Sequence, residues 1–329
     1  MNYDFISIGD VVTDAFIRIK DAHVTCSIDK EKCEICMRFG DKIPFESVAI
    51  VPAVGNSANA ATAAARLGVL SAFVSDLGDD YFGKECLETL SKNGVSTEFV
   101  RVHPGAKTNY HYVLWFEDDR TILVKHEDYG YDGVPAIGEP KWIYLSSVGE
   151  NSLMFHMRIA AYLQEHPDIS LAFQPGTYQM KFGTEKLAEI YRLTKVFICN
   201  VSEAQRILQT TESDVKKLLS MIAGLGPKIV LITDGPKGAY AFDGMDFWFM
   251  PPYPDPKPPF ERTGAGDAFS STFVAALALG KSVQEALLWA PINSMSVVQQ
   301  IGAQAGLLTR PELEKFLAEA PADYKPIKI

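Results

Sequence analysis

The sequence predicts an α/β fold in which helices cover both faces of a mainly parallel sheet, with a small second β-sheet beside it. Two observations support this fold class. Through most of the 329 residues, apolar runs of strand length alternate with helical segments, which is the rhythm of successive βαβ units. Residues 15–52 depart from this rhythm, because short apolar stretches there are separated by charged turns. This departure indicates a small antiparallel sheet inserted after the first strand.

The first elements follow from local patterns. The run "DFISIGD" predicts a buried strand that ends in a turn. After the inserted sheet comes "GNSANAATAAARLG", whose six alanines among residues 58–65 favour a helix that ends near Gly68. The stretches "SAFVSDLG" and "DDYFGKECLETLSKNG" then predict the next strand and the next helix. These segments begin the alternation that predicts the parallel sheet.

The rest of the chain continues the alternation, from "KWIYLSSVG" to "IVLITDG", with two interruptions. Residues 109–128 predict a hairpin that could join the residue 15–52 sheet as a lid. The stretch "AYAFDGMDFWFMPPYP" predicts a second hairpin that turns at Asp243-Gly244. In the helix of "KSVQEALLWA", Ser282 and Glu285 match a capping box, and Pro291 is expected to break or kink the helix.

Composition excludes several classes of protein. The net charge of −10 argues against a nucleic-acid binder, which normally shows a basic face. No apolar run reaches the roughly 18 residues that a membrane span needs. The start "MNYDFISIGD" is acidic and lacks the order of a signal peptide, so we expect a cytoplasmic protein without a membrane partner.

Five cysteines in a chain of this length do not make a disulfide framework. One cluster leaves two interpretations open: the pairs His23 with Cys26 and Cys33 with Cys36 resemble a set of zinc ligands. The six-residue spacer is short and lacks the turn glycines of a zinc knuckle. The alternative is reduced thiols on neighbouring strands.

The stretch "TGAGDAF" carries the chemistry that the residues alone suggest. Gly264 and Gly266 allow backbone geometry that other residues avoid, and the apolar helix that follows directs its first N–H groups into the turn. The sequence therefore predicts an anion-binding turn. Asp267 lies in the first helical turn, where it is either a helix cap or a reactive carboxylate. The chain shows neither a P-loop nor a G-x-G-x-x-G after its first strand.

Six motifs in order resemble the ribokinase-like (PfkB) family of sugar and nucleoside kinases. They are "VGNSANAATAAARLG", "SDLGDDYFGKECLETLSKNGVST", "NVSE", "TDGPKGAYAF", "RTGAGDAF" and "GAQAGLLT". Together they cover nearly the whole chain. The resemblance implies a ribokinase-like three-layer α/β/α domain with a β-sheet lid. It also implies a core of residues 1–14, 53–99 and 129–329 and a lid of residues 15–52 and 100–128.

The resemblance implies an ATP-dependent kinase that uses Mg²⁺. Asp267 would be the general base, beside an anion hole of Gly264, Ala265 and Gly266. The acceptor would be a sugar or a nucleoside. The residues that would contact the nucleotide, with Glu203 acting indirectly on Mg²⁺, are Asn200, Glu203, Thr233, Gly235, Gly238 and Asn293. The residues that would contact the acceptor are Asp14, Gly55, Asn56 and Asn59, whereas Asp10 is expected to be a turn residue.

Several of these residues also have a purely structural interpretation. Asn200 with Glu203 matches a helix cap, and Gly235 matches a tight turn. Asn59 could be buried with backbone partners, and Asn293 could lie on a solvated face. The lid aromatics fit either lid packing and a homodimer contact or a stacking surface for a nucleobase; they are Phe16, Phe39, Tyr110, Tyr112 and Trp115.

Departures from the family pattern leave the acceptor and potassium open. Glu261 and Gly306 stand where a monovalent-cation site is expected, so activation by K⁺ is possible but doubtful. Gln174 replaces an Asp after "ISLAF". Few Arg or Lys residues stand at the acceptor positions, which weakens the case for a phosphorylated sugar. The alternatives are a nucleoside kinase of the same fold and, more remotely, a non-catalytic ligand sensor.

Overall fold

A computed structural model of the protein describes residues 3–26, 33–117 and 119–329. Its strands are β1 (Phe5–Ile8), β2 (Val12–Ile19), β3 (His23–Cys26), β4 (Cys33–Cys36), β5 (Phe45–Val54), β6 (Ser71–Gly78), β7 (Ser96–His103), β8 (Tyr110–Phe116), β9 (Asp119–Leu123), β10 (Trp142–Leu145), β11 (Ser170–Phe173), β12 (Thr194–Asn200), β13 (Ile229–Thr233), β14 (Ala239–Phe242), β15 (Phe247–Met250) and β16 (Ile327–Lys328). Its helices are α1 (Asn56–Arg66), α2 (Tyr81–Lys92), α3 (Leu153–Glu165), α4 (Thr177–Lys186), α5 (Ala188–Leu193), α6 (Val201–Leu208), α7 (Val215–Ala223), α8 (Ala265–Ala278), α9 (Val283–Val297) and α10 (Arg310–Ala318).

The large central sheet has the strand order β16-β15-β14-β13-β12-β11-β10-β1-β6-β7. The strands from β7 to β13 in that order are parallel, and β14, β15 and β16 pair antiparallel at one edge. This arrangement confirms the predicted fold class of a mainly parallel sheet between two layers of helices. The strands β1, β6 and β10 are buried at every position, as expected when helices cover both faces.

Successive residues of one strand enter different cores, because side chains alternate across a sheet. Phe5 packs in the core beneath α8 and α9, whereas Ile6 packs in the core beneath α3 and α5. Helix α9 begins with the capping box of Ser282 and Glu285, as predicted. The helix continues past Pro291 to Val297, so the expected break does not occur.

A smaller sheet with the order β5-β2-β8-β9 lies beside the central one. The predicted hairpin of β8 and β9 joins the inserted strands, since β2 pairs parallel with β8 and antiparallel with β5. One face is turned toward the large domain, where Trp115 lies edge-on to Phe260 with ring centroids 5.3 Å apart. The predicted lid range of 100–128 includes the end of β7, which pairs with β6 in the large sheet.

The strands β3 and β4 form a separate hairpin, in which a disulfide joins Cys26 to Cys33. The expectation of reduced thiols is therefore wrong for this pair. In the hairpin register His23 stands opposite Cys36 and Cys26 opposite Cys33. Residues 23 and 26 are an odd number of positions apart, so alternation directs the two pairs to opposite faces. The four side chains consequently do not converge on one zinc ion, and the described residues contain no cluster of three or more such ligands.

Within the residues that the structure describes, every helix is too short or too polar to cross a membrane.

Candidate active site

The turn before α8 has the backbone geometry that the glycines predict. Gly264 has a φ of +83°, and a Cβ atom there would lie 2.3 Å from the Cβ of Ala303. Only glycine fits both the left-handed backbone and this close approach. The N–H groups in the first turn of α8 have no acceptor within the helix, so the turn presents a locally positive end.

Asp267 is the third residue of α8, and its carboxylate does not cap the helix. The side-chain amides of Asn56 and Asn59 donate to it at 3.0 and 2.8 Å, and that of Gln174 donates at 3.1 Å. Helix α1 and the end of β11 therefore meet the start of α8 at this carboxylate. The interpretation of Asp267 as a plain cap is wrong, because its oxygens are turned toward other elements.

The environment of Asp267 perturbs its acidity. Burial of the carboxylate raises its pKa, although the three amide donors and the positive charge of Arg120 on β9 oppose the rise. The residue still keeps partial exposure to the cleft. A carboxylate with a raised pKa is a better proton acceptor than an ordinary aspartate.

Gln174 has a role that the sequence did not reveal. Its carbonyl oxygen accepts a hydrogen bond from the Tyr144 hydroxyl, so its amide nitrogen is directed to Asp267. In the sequence this glutamine stood out only as a departure from an expected Asp. Its position after a buried strand was the available signal, because ligand sites in open α/β sheets lie at the carboxyl ends of the strands.

The two predicted residues Gly55 and Asn59 are held by different means. Gly55 has a φ of +114°, and a Cβ atom there would lie 2.9 Å from the backbone oxygen of Asp10. Asn59 is buried, and its side-chain oxygen accepts a hydrogen bond from Gln304 at 3.0 Å. The partners of Asn59 are thus side chains, and the expectation of backbone partners is wrong. Gln304 fixes the orientation in which Asn59 donates to Asp267.

A cavity of about 300 Å³ opens on the other side of the α8 turn. Predicted residues that line it are Thr233, Gly235, Gly238, Ala265 and Gly266. Residues that sequence reasoning missed are Pro251, Pro252, Tyr253, Pro259 and Arg262, in a proline-rich segment after β15.

Asn293 does not line this cavity, and it does not lie on a solvated face either. It is fully buried, donates to the Thr272 hydroxyl at 2.8 Å and accepts from the Leu308 N–H at 2.8 Å. Its helix neighbours Ser294 and Met295 line the cavity in its place. The hydrogen bonds of the Asn293 amide are thus made within the protein. The sequence did not show these partners.

Asn200 and Glu203 form a reciprocal cap at the start of α6. The Asn200 side chain accepts from the Glu203 N–H at 2.8 Å, and the Glu203 carboxylate accepts from the Asn200 N–H at 2.9 Å. Burial raises the pKa of Glu203, and the negative charge of Asp267 adds to the rise. The capping geometry is therefore present, and the Glu203 carboxylate lies close enough to Asp267 for the two charges to interact.

Asp14 lies in β2, and its carboxylate is 3.4 Å from Nδ1 of His111. Asp10 is more than a turn residue, because it accepts hydrogen bonds from the Tyr131 hydroxyl at 3.0 Å and from Nδ1 of His126 at 2.7 Å. The ring centroids of His111 and His126 are 5.3 Å apart. No sequence motif singled them out, since the fold alone brings β8 and the segment after β9 to β2.

Glu261 and Gly306, the two departures at the expected cation site, have structural explanations. Glu261 is buried, and its carboxylate accepts from the N–H and the hydroxyl of Thr263 at 2.7 and 2.6 Å. A Cβ atom at Gly306 would lie 2.4 Å from the Ser296 carbonyl oxygen, so a side chain there would clash.

Comparison with known proteins places these features in a family. A family model described as "pfkB family carbohydrate kinase" matches residues 27–310. The chain is 27% identical over 287 residues to the ribokinase of Bacillus subtilis (strain 168), covering 85% of this chain and 92% of that protein. It is also 27% identical over 303 residues to a fructokinase of Vibrio alginolyticus, covering 85% of this chain and 96% of that protein.

Solved structures share the fold. Arabidopsis thaliana ribokinase, complexed with ribose and ATP, has a TM-score of 0.77 at 22% identity and covers 96% of this chain and 99% of that chain. The Methanocaldococcus jannaschii nucleoside kinase has a TM-score of 0.78 at 18% identity and covers 97% and 100%. At these identities the structural likenesses establish the fold alone.

Proposed function

The chain belongs to the pfkB family of carbohydrate kinases, and from this premise we propose that it transfers the γ-phosphoryl group of ATP to a hydroxymethyl group of a sugar. One observation carries the proposal. The Asp267 carboxylate, with its raised pKa, lies in the first turn of α8 beside N–H groups that lack helical acceptors. A proton acceptor and an anion-binding turn are thus adjacent, as phosphoryl transfer to an alcohol requires.

In this mechanism Asp267 takes the proton of the acceptor hydroxyl while the oxygen of that hydroxyl bonds to the γ-phosphorus of ATP. The bond from that phosphorus to the bridging oxygen breaks, and ADP leaves with the electron pair. The backbone N–H groups of Gly264, Ala265 and Gly266 stabilise the charge on the transferring group. Asn200 and Glu203 would lie near Mg²⁺, which when bound would offset negative charge on the transferring phosphates.

The nucleotide would occupy the cavity lined by Thr233, Gly235 and Gly238, and the acceptor would bind at Asp14, Gly55, Asn56 and Asn59. The Arabidopsis ribokinase that shares this fold was solved with ribose and ATP, which supports a sugar and ATP as ligands of the fold. Potassium is not part of the proposal, because Thr263 and the Gly302 N–H already bond to the Glu261 carboxylate.

A sugar is favoured over a nucleoside by the placement of the lid aromatics. Phe16 and Trp115 are buried, and Trp115 lies edge-on to Phe260 of the large domain. Tyr110 packs on Phe82 of α2, with ring centroids 4.6 Å apart, and Tyr112 lies half-exposed on the outer face. Phe39 is fully exposed. These rings therefore do not form an open stacking surface toward Asp267.

The test is phosphotransfer from ATP to a panel of pentoses, hexoses, ketodeoxy acids and nucleosides. We expect Asp267→Asn to lower the rate about 10²–10⁴-fold, because its amide cannot take the proton. The control is Asp168→Asn at an exposed carboxylate, which should keep wild-type activity. A variant Asp267→Asn with more than about a tenth of the wild-type rate would contradict the base role. Turnover of nucleosides alone would favour a nucleoside kinase, and binding without turnover would favour a ligand sensor.

We also propose that the protein forms a homodimer through the outer face of the small sheet. Apolar side chains that stand in neighbouring cross-strand rows on this face are Ile17, Val48, Ile50, Tyr112, Leu114 and Leu123. Val48, Ile50, Tyr112 and Leu123 are about half exposed. A contiguous exposed apolar face of this kind is typical of an interaction surface.

A further inference from the structure

We propose that His111 and His126 form a wall of the acceptor site and select an uncharged polyhydroxy acceptor. The inference rests on the proposed kinase function and deepens it, since it names the chemistry of the acceptor. Hereafter the term imidazole wall means these two histidines with their carboxylate partners, Asp14 and Asp10.

His126 is held in one orientation by a chain of hydrogen bonds. Its Nδ1 is 2.7 Å from Asp10, the Tyr131 hydroxyl donates to the same carboxylate, and the Gly149 N–H donates to that hydroxyl at 2.9 Å. The ring edge of His126 also contacts Tyr178, with centroids 5.8 Å apart. Because Nδ1 is engaged, Nε2 is the ring atom left to hydrogen-bond a ligand.

His111 and Asp14 carry the second observation. Asp14 is more than nine-tenths buried, and its Oδ1, which lies 3.4 Å from Nδ1 of His111, has no hydrogen-bond partner within the described part of the chain. Nε2 of His111 is likewise buried and unpartnered among those residues. Buried polar atoms nearly always have a partner, so two unpaired ones on the neighbouring strands β2 and β8 point to a ligand.

Contacts through Gly55 and Asn56 link the imidazole wall to Asp267. Asp10 approaches Gly55 so closely that a Cβ there would lie 2.9 Å from its backbone oxygen. The next residue, Asn56, donates to the Asp267 carboxylate at 3.0 Å. Gly55 and Asn56 thus connect the backbone of Asp10 to the Asp267 carboxylate, which supports placing the imidazole wall and the proposed base at one acceptor site.

The charges around this acceptor site favour hydroxyl groups over anions. Asp10, Asp14 and Asp267 contribute three carboxylates, which would repel a phosphate or carboxylate on the acceptor. Two cations counter them in part: the charge of Arg120 acts on Asp267, and Nζ of Lys181 lies 5.0 Å from the centroid of the Tyr178 ring. A sugar hydroxyl donates to a carboxylate or to an imidazole nitrogen and accepts from an imidazole N–H, so it suits both partners.

The test uses His111→Asn and His126→Asn in the full-length protein. In each variant the asparagine amide can take the place of Nδ1 and still face the partner carboxylate, Asp14 or Asp10. Asparagine has no atom at the position of Nε2, so the proposed ligand contact is lost. We expect KM for a neutral sugar to rise about tenfold in each variant, with KM for ATP and the unfolding free energy nearly unchanged. The matched control is His166→Asn, which alters another imidazole–carboxylate pair, with Nδ1 3.4 Å from Glu139, just before the start of β11.

A binding measurement separates this inference from the kinase proposal. The shift of the melting temperature is measured with pentoses, hexoses and polyols, and with sugar phosphates, sugar acids and nucleosides, without ATP. If the wild type phosphorylates nothing, the kinase proposal fails, yet a neutral-polyol shift that both histidine variants lose would still support the imidazole wall. The inference is overturned if no neutral polyol binds, if a charged acceptor binds better, or if the variants bind and turn over like the wild type.

Discussion

At the scale of the residue, the chemistry of this site depends on one carboxylate and what surrounds it. Burial raises the pKa of Asp267, while the amides of Asn59, Gln174 and Asn56 partly oppose the rise. The result is a carboxylate that accepts a proton more readily than a solvated aspartate. Only the ionised form can act as a base.

This balance predicts a pH dependence. As the pH falls, protonation of Asp267 should lower kcat/KM, with an inflection above the ordinary aspartate value of about 4. The inflection moves upward because the pKa of Asp267 is raised, so the active, ionised form is lost at a higher pH than for a solvated aspartate. The measurement is kcat/KM against pH at saturating ATP.

The control for the pH profile is Gln174→Leu, which removes one donor to the carboxylate. Because that donor lowers the pKa of Asp267, its loss should move the inflection to a higher pH still. A profile that stays level down to the range of an ordinary aspartate, or an inflection that moves downward in Gln174→Leu, would refute the assignment of the base.

At the scale of the element, the two glycines of the α8 turn are required for different reasons. Gly264 provides a left-handed backbone pressed against Ala303, whereas a Cβ at Gly266 would meet no other atom within 4 Å. The first glycine is therefore required by packing. The second is exposed and lines the cavity, where a side chain would intrude on the phosphates of the proposed nucleotide.

Substitutions at these two positions should separate stability from activity. We expect Gly264→Ala to lower the free energy of unfolding by about 1–3 kcal/mol, since its Cβ would overlap Ala303. Gly266→Ala should leave stability unchanged or slightly higher, because alanine favours a helix, while phosphotransfer falls. Chemical denaturation and ATP-dependent turnover provide the two readouts. Equal stability of the two variants would contradict the packing argument.

At the scale of the whole molecule, the site exists only where distant segments meet. Asn56 and Asp267 are 211 positions apart in the chain, and Gln174 approaches from a third segment. The small sheet adds Asp14 and His111 from one side. Its opposite face is apolar and half-exposed, which leaves it available to a second copy of the chain.

That face predicts a dimer that one charge can disrupt. We expect Tyr112→Lys to shift the protein toward the monomer, because a lysine in the middle of an apolar contact loses its hydration without gaining a partner. Sedimentation equilibrium at micromolar concentrations measures the mass. The control is Met245→Lys at an exposed methionine in the β14–β15 turn. A strictly monomeric wild type under these conditions would refute the homodimer.

Much of the fold could be predicted because it depends on local patterns. The alternation of strands and helices, the joining of residues 109–128 to the inserted sheet and the hairpin turn at Asp243 all appear in the structure as predicted. The disulfide in the β3–β4 hairpin was missed, since spacing alone does not show which side chains share a face.

By itself, the sequence determined the fold class and the turn that places Asp267 at the start of α8, because glycine spacing and apolar periodicity are local properties of the chain. It indicated the family through the resemblance of its six motifs. Only the tertiary structure decided the partners. It turned Asp267 from a possible cap toward three amides, directed Gln174 to it through Tyr144, and paired His126 with Asp10. The physical reason is that the acidity and orientation of a side chain depend on burial and on hydrogen bonds between segments far apart in the chain, and no local pattern encodes these.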